Sequence, residues 1–224
     1  MAGLYEIPKW SWPAAFWLVF ILSIFSWGIS WKVWNPIRLP LNERQVHICP
    51  NPELAWNYGL TMLAFASFGS IYTYLPLNLT QHHHFSPNEL TGFMMTFGLS
   101  GLLGTLAAGY LSDRVGHVLL VRWGLVSEIV LLFGLRQHWQ GSLLWMNLLL
   151  FSMVTSYTPV LKALASSKGA KGLALSWNNA AMYFGLSAGS WAMSLIWSRG
   201  MSAIYLGAAI FATGAFLLSL RLRG

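Results

Sequence analysis

The sequence predicts an all-α integral membrane protein of about seven transmembrane helices, each near the roughly 20 apolar residues that a helical span needs. Three observations predict this class. Hydrophobic residues make up 56% of the chain and charged residues only 8%, against about 25% charged residues in soluble domains. The apolar residues are gathered into long runs, and many of the 13 Trp lie near the ends of those runs, as in an interfacial aromatic belt. Water-soluble classes are therefore excluded.

The apolar runs predict the spans in order. They lie at residues 13–31, 56–79, 90–111, 118–135, 142–161, 173–197 and 201–220. The alternative for the first run is a signal peptide, but its apolar stretch is too long and no small-x-small cleavage site precedes Lys32. A true first span is therefore favoured. The single cysteine, Cys49, excludes an internal disulfide.

The loop charges predict the orientation. The net charge of +7 does not indicate a nucleic-acid partner, because the basic residues are scattered between apolar runs. One set of loops holds ten basic residues, and the other set holds Lys9, Arg136 and Arg199. The ten are Lys32, Arg38, Arg44, Arg114, Arg122, Lys162, Lys168, Lys171, Arg221 and Arg223. The positive-inside rule places this first set in the cytoplasm, with the N-terminus outside and the C-terminus inside.

A motif ends the third run: Gly109-Tyr-Leu-Ser-Asp113-Arg114-Val-Gly116. Its order, Gly-x-Leu-x-Asp-Arg-x-Gly between two apolar runs, resembles the signature loop of the major facilitator superfamily of secondary transporters. The resemblance implies that Asp113 and Arg114 hold one alternating-access state closed at the cytoplasmic end. It also implies that Gly109 permits close helix contact and that Gly116 permits a tight turn. A merely structural turn is the alternative. The family has two basic residues after the second glycine, whereas a histidine and a valine stand here.

The resemblance extends over nearly the whole chain and implies its domain organisation. The family has twelve spans in two six-span halves. Residues 1–31 resemble an external N-terminus and the sixth span, and residues 32–55 resemble the proline-punctuated cytoplasmic linker. Residues 56–224 resemble the six-span C-terminal half. On this interpretation spans one to five are absent, and a complementary N-terminal half would complete the transporter.

Small residues at helical spacing predict close helix contacts. Residues 171–190 resemble the eleventh span of bacterial drug:proton antiporters, especially the arabinose-efflux-like permeases. Gly185 and Gly189 lie four apart, on one helix face, where a neighbouring backbone can approach. The third run carries a similar stripe, formed by Gly98, Gly101, Gly104 and Ala108. The resemblance implies that both stripes face the other half of the transporter. Ordinary helix packing is the alternative.

Glu128 is the only acid inside an apolar run. A carboxylate within the membrane is costly and is a functional candidate by default. A proton-coupled antiporter needs such a group, which makes Glu128 a candidate proton site. The resemblance argues the other way, because the ninth span is usually peripheral. A neutral or hydrogen-bonded structural acid is therefore the favoured alternative.

Polar and aromatic side chains supply the candidate cavity. On the spans that line the path in the family, the available groups are Tyr72, Tyr74, Asn147, Thr155 and Tyr157. Asn178 and Asn179 add a polar pair in the sixth run. Aromatic walls with few polar groups suit an amphipathic or apolar substrate, although helix packing is an alternative for each residue.

Three adjacent histidines, His82 to His84, raise the question of a metal. Adjacent side chains need a constrained backbone to reach one ion, and no cysteine or second histidine pair supports them. We therefore expect a solvated loop, with no metal and no cofactor.

The resemblance implies a secondary active transporter and not an enzyme. It implies efflux of a small amphipathic molecule or sugar, proton-coupled as in an antiporter, by alternating access in the bacterial cytoplasmic membrane. The implied partners are a small-molecule substrate, protons, membrane lipid and a complementary N-terminal half. One alternative is a non-transporting membrane subunit or degenerate transporter fragment. Another is a membrane enzyme that uses the histidines, but the sequence shows no cluster of histidines or acids at one membrane face.

Overall fold

The computed structural model describes residues 12–33, 54–137, 148–150, 152, 157 and 171–222. In these ranges the chain forms α-helices and no strands, so the predicted all-α class is confirmed. The long helices are α1 (Trp12–Val33), α2 (Ala55–Gln81), α3 (Pro87–Val115), α4 (His117–Gln137), α5 (Lys171–Ser194) and α6 (Met201–Ser219). A 3-10 turn, Trp197–Arg199, joins α5 to α6. Most of the predicted fifth span, 142–161, and of the linker, 32–55, lies outside the described residues.

Four of the described helices are long and apolar enough to cross a membrane: α2, α3, α4 and α6. Residues Phe20–Trp31 of α1 form a shorter apolar helical segment, and the rings of Trp27 and Trp31 contact each other there, 5.6 Å apart. The 24 residues of α5 are long enough to span. Its amides and hydroxyls lower its mean hydropathy, so it is not among these four.

After residue 54, helices α5 and α6 pack directly and extensively against α2, and α4 packs against α6. Two apolar clusters form the core. The larger one lies towards the α2–α3 loop and contains Leu75, Phe93 and Leu132, and the smaller one lies towards the opposite end and contains Leu60 and Leu125. Helix α3 buries only a narrow face, and its other side exposes several leucines.

Local chemistry sets the ends of α3. The Ser86 hydroxyl accepts from the backbone N–H of Glu89, and the Glu89 carboxylate accepts from the Ser86 backbone N–H at 2.8 Å. This capping box, with Pro87 in the first turn, starts the helix. Gly116 ends it with φ 86°, a conformation that favours glycine. Helix α4 then begins at His117 without an intervening loop.

Candidate functional site

The motif that suggests a gate lies in the last turn of α3 and at the break before α4. The predicted third span ends at residue 111, but the helix continues to Val115. Asp113 and Arg114 are therefore helical and exposed, and the turn itself is the single residue Gly116. The guanidinium of Arg114 lies over the ring of Tyr110, 4.3 Å from its centroid.

Gly109 is half-buried, and the resemblance implied that it permits a close helix contact. A Cβ added there would meet no described atom within 4 Å. On the predicted stripe, Gly98 is exposed and a Cβ there would also meet no described atom within 4 Å. Gly104 and Ala108 are buried and Gly101 is half-buried. The stripe on α3 therefore divides into a packed part and an open part.

Gly185 and Gly189 form the closest helix contact in the described bundle. A Cβ at Gly185 would lie 2.8 Å from the carbonyl carbon of Met62, and one at Gly189 would lie 2.7 Å from that of Ala66. Both glycines are buried. The expectation that this face is open to the other half of a transporter is corrected, because its partner is α2 of the same chain. Ordinary helix packing, the alternative raised above, therefore accounts for this face.

A relay of hydrogen bonds ties α5 to α2 near these glycines. The Thr61 hydroxyl donates to Asn178 Oδ1 at 2.7 Å, and Asn178 Nδ2 donates to the Tyr157 hydroxyl at 3.2 Å. The Tyr157 hydroxyl donates to the sulfur of Met182 at 3.6 Å. Asn178 is fully buried, and both ends of its amide are used. Its role is to fix the position of Tyr157 against α2.

An aromatic row lies on the side of α2 that faces Tyr157. Phe65 contacts Tyr157 edge to face at 4.6 Å, and Phe68 stacks on Tyr72 at 5.3 Å. Phe65, Phe68 and Tyr72 share one helix face because they are spaced three and four apart. Tyr72 is 47% exposed. The predicted cavity residues Tyr72 and Tyr157 thus belong to one wall, which we call the aromatic row.

Other predicted cavity residues lie elsewhere. Tyr74 is buried, and its hydroxyl donates to the Ser190 carbonyl at 3.1 Å, so it packs α2 on α5. Asn179 is exposed on α5. Asn147 and Thr155 lie outside the described residues.

A polar stripe on α5 was missed by the sequence analysis. It comprises Ser176, Asn179, Tyr183, Ser187, Ser190 and Ser194. Their spacings of three and four place them on one face, opposite Gly185 and Gly189. All are exposed except Ser190, which is half-buried; its hydroxyl lies 2.8 Å from that of Thr73. Polar residues at helical spacing were the signal. The hydroxyls of Ser190 and Ser194 also donate to carbonyls of their own helix, Leu186 and Trp191.

Glu128 lies on the far side of α2 from the aromatic row. Its side chain is 1% exposed, between the two apolar clusters, and Oε1 accepts from the Ser67 hydroxyl at 2.6 Å. No described residue hydrogen-bonds to Oε2. The structure therefore separates this carboxyl from the candidate cavity, and its contact is an interhelical one.

The three histidines lie in the loop after α2. His84 has φ 53°, so the backbone turns sharply within the triplet. Burial, followed by the neighbouring His82 and His84, lowers the pKa of His83 below its ordinary value. Within the described residues, no group of three His, Cys, Asp or Glu side chains is arranged to hold a metal ion.

Together, the four apolar helices and the close glycine contact between α2 and α5 define a helical membrane protein. The family model of the Major Facilitator Superfamily matches residues 57–224, well over half of the chain. The chain therefore belongs to the major facilitator superfamily, a family of membrane transporters. No curated protein matches it.

Proposed function

We propose that this protein carries a small amphipathic molecule across the membrane by alternating access, with efflux as the direction. The carrying observation is the aromatic row on α2 together with the exposed polar stripe on α5. Flat apolar rings offer contact area to an apolar moiety, and the hydroxyl and amide groups offer hydrogen bonds to a polar one. A non-transporting subunit or degenerate fragment, the alternative, has no need of a surface that combines aromatic rings and polar groups.

We further propose that other membrane spans complete the path. The polar stripe is exposed on α5 apart from Ser190, which contacts Thr73 of α2. A polar face of this kind is disfavoured against lipid, so we infer that other spans or water cover it. Alternating access in secondary transporters moves two repeats about a site near the bilayer midplane. A complementary half is the partner that both features require.

Reconstitution into liposomes tests this proposal. The purified chain is reconstituted with and without a co-expressed five-span N-terminal fragment of a related efflux permease, and efflux of an amphipathic dye is followed under a proton gradient. We expect flux only with the complement. Flux from the chain alone would contradict the need for a complementary half, and no flux in either arm would favour the non-transporting alternative.

Matched variants locate the site within that assay. Tyr157→Ala should raise KM about two- to tenfold, since an aromatic pair contributes about 0.5–1.5 kcal/mol beyond its area burial. Phe133→Ala, which removes a ring exposed on α4, should leave KM unchanged. Equal KM values for the two variants would remove the aromatic row from the substrate path.

A substitution at Asp113 tests whether the motif acts as a gate. If the carboxylate holds one state closed, Asp113→Asn should abolish transport by the complemented protein while expression and membrane insertion stay near normal. Transport at the wild-type rate by this variant would reduce the motif to a structural turn.

The orientation has its own test. Reporter fusions at Gly224 and within residues 82–88 should report opposite sides of the membrane, with Gly224 in the cytoplasm. An external signal from the C-terminus would overturn the charge-based topology and the family register.

A further inference from the structure

A cleft of about 360 Å³ opens at the end of the bundle that carries the Gly116 turn. Its wall is apolar except for Gly116, His117 and Arg122. The lining residues are Val115, Gly116, His117, Val118, Leu119, Arg122 and Leu222. A volume of this size accommodates a phosphate with the glycerol and first methylenes of a lipid, and four aliphatic side chains suit the methylenes.

Arg122 is fixed in the wall of this cleft. Its Nε and Nη2 donate to the Ser219 carbonyl at 3.3 and 3.2 Å, and Nη2 also donates to the Leu222 carbonyl at 3.3 Å. These bonds hold the guanidinium still at the end of α6. No described residue accepts a hydrogen bond from Nη1, so one side of a pre-oriented cation remains for a ligand.

The surroundings of the cleft are basic. At this end of the bundle the described side chains include three arginines, Arg114, Arg122 and Arg221, and one acid, Asp113. Arg221 lies over the ring of Trp56, 4.4 Å from its centroid, a cation–π contact that holds its guanidinium near the start of α2. The loop charges place this end in the cytoplasm, the side on which anionic lipids attract basic groups.

We propose that this cleft binds the phosphate headgroup of an anionic membrane phospholipid. Arg122 Nη1 binds a phosphate oxygen, and Val115, Val118, Leu119 and Leu222 contact the glycerol and upper acyl chains. The headgroup then rests against Gly116, the residue that joins α3 to α4. This inference does not depend on the proposed transport, because it concerns a surface away from the aromatic row.

Native mass spectrometry of the full chain in detergent tests it with three probes: phosphatidylglycerol, phosphatidylcholine with the same acyl chains, and inorganic phosphate. We expect phosphatidylglycerol to bind well above the other two. Equal binding of the two lipids would overturn the proposal. Displacement of phosphatidylglycerol by millimolar inorganic phosphate would show a free-anion site, which overturns the lipid assignment.

Variants assign the binding to the cleft. Leu119→Glu places a negative charge at an exposed position of the lining and should weaken phosphatidylglycerol binding about fivefold or more, the equivalent of about 1 kcal/mol per charge near an anionic lipid. Leu195→Glu adds the same charge at an exposed position just after the end of α5, at the opposite end of that helix from its cytoplasmic start, and should bind as the wild type does. Arg122→Gln should also weaken binding. Because that change also removes the hydrogen bonds to α6, the Leu119→Glu result decides: unchanged binding there refutes the site.

Discussion

Replacing Gly185 by alanine should force α5 away from α2. The added methyl would lie 2.8 Å from the carbonyl carbon of Met62 and 3.0 Å from its Cα, and backbone atoms in the middle of a helix cannot rotate away. Overpacking of this kind costs about 1–3 kcal/mol. Alanine also favours the helix over glycine by about 1 kcal/mol, so the clash must be measured against a control that shares this gain.

Gly98→Ala is that control. It makes the same chemical change on α3, where a Cβ meets no described atom within 4 Å. Gly207→Ala gives an intermediate case, because its Cβ would meet the flexible Met193 side chain, 2.6 Å from the sulfur. In titrations of the detergent-solubilised chain with SDS, Gly185→Ala should be less stable than Gly98→Ala by about 1–3 kcal/mol. Equal stability of the two variants would refute the close contact between α5 and α2.

Three further predictions concern buried or loop groups. Ser67→Ala should cost about 0.6 kcal/mol in the same titration, the average for an interhelical hydrogen bond in a membrane protein. Glu128→Gln should stay near the wild type because its amide oxygen still accepts from Ser67; loss of pH-dependent flux in that variant would make Glu128 a proton site. The lowered pKa of His83 means that the unfolded chain binds a proton at higher pH than the folded chain. The contribution of His83 to stability should therefore be full above 6.5, the ordinary pKa of histidine, and should be lost as the pH falls below it. Thermal melts at about pH 7.5 and about pH 5.5 measure this loss, and His83→Gln should make it smaller.

The sequence predicted the helices because the bilayer fixes how long an apolar run must be. Runs at 56–79 and 201–220 became α2 and α6 within a few residues. The end of α3 was placed too early, because Ser112, Asp113 and Arg114 read as a loop, while the helix continues until glycine alone can turn the chain.

Which helices contact one another was harder to predict than the helices themselves. The spacing of Gly185 and Gly189 indicates that some backbone approaches, but no periodicity says which one. Thr61 and Asn178 are 117 positions apart, so their hydrogen bond depends on the packing of the whole bundle. The polar stripe of α5 was visible as a three-and-four spacing. Of the two adjacent asparagines predicted as a polar pair, only Asn179 belongs to the stripe, since Asn178 is buried.

The long separation between Thr61 and Asn178 has a consequence for biogenesis. Helix α2 enters the membrane while the ribosome still has about a hundred residues to add before α5 emerges. Until then the Thr61 hydroxyl and the backbone around Met62 and Ala66 lack their final neighbours, and association of helices in lipid depends on such packing. The nascent bundle is therefore incomplete until α5 and α6 insert. A chain shortened before Lys171 should be a substrate for membrane proteases, while the full chain resists them.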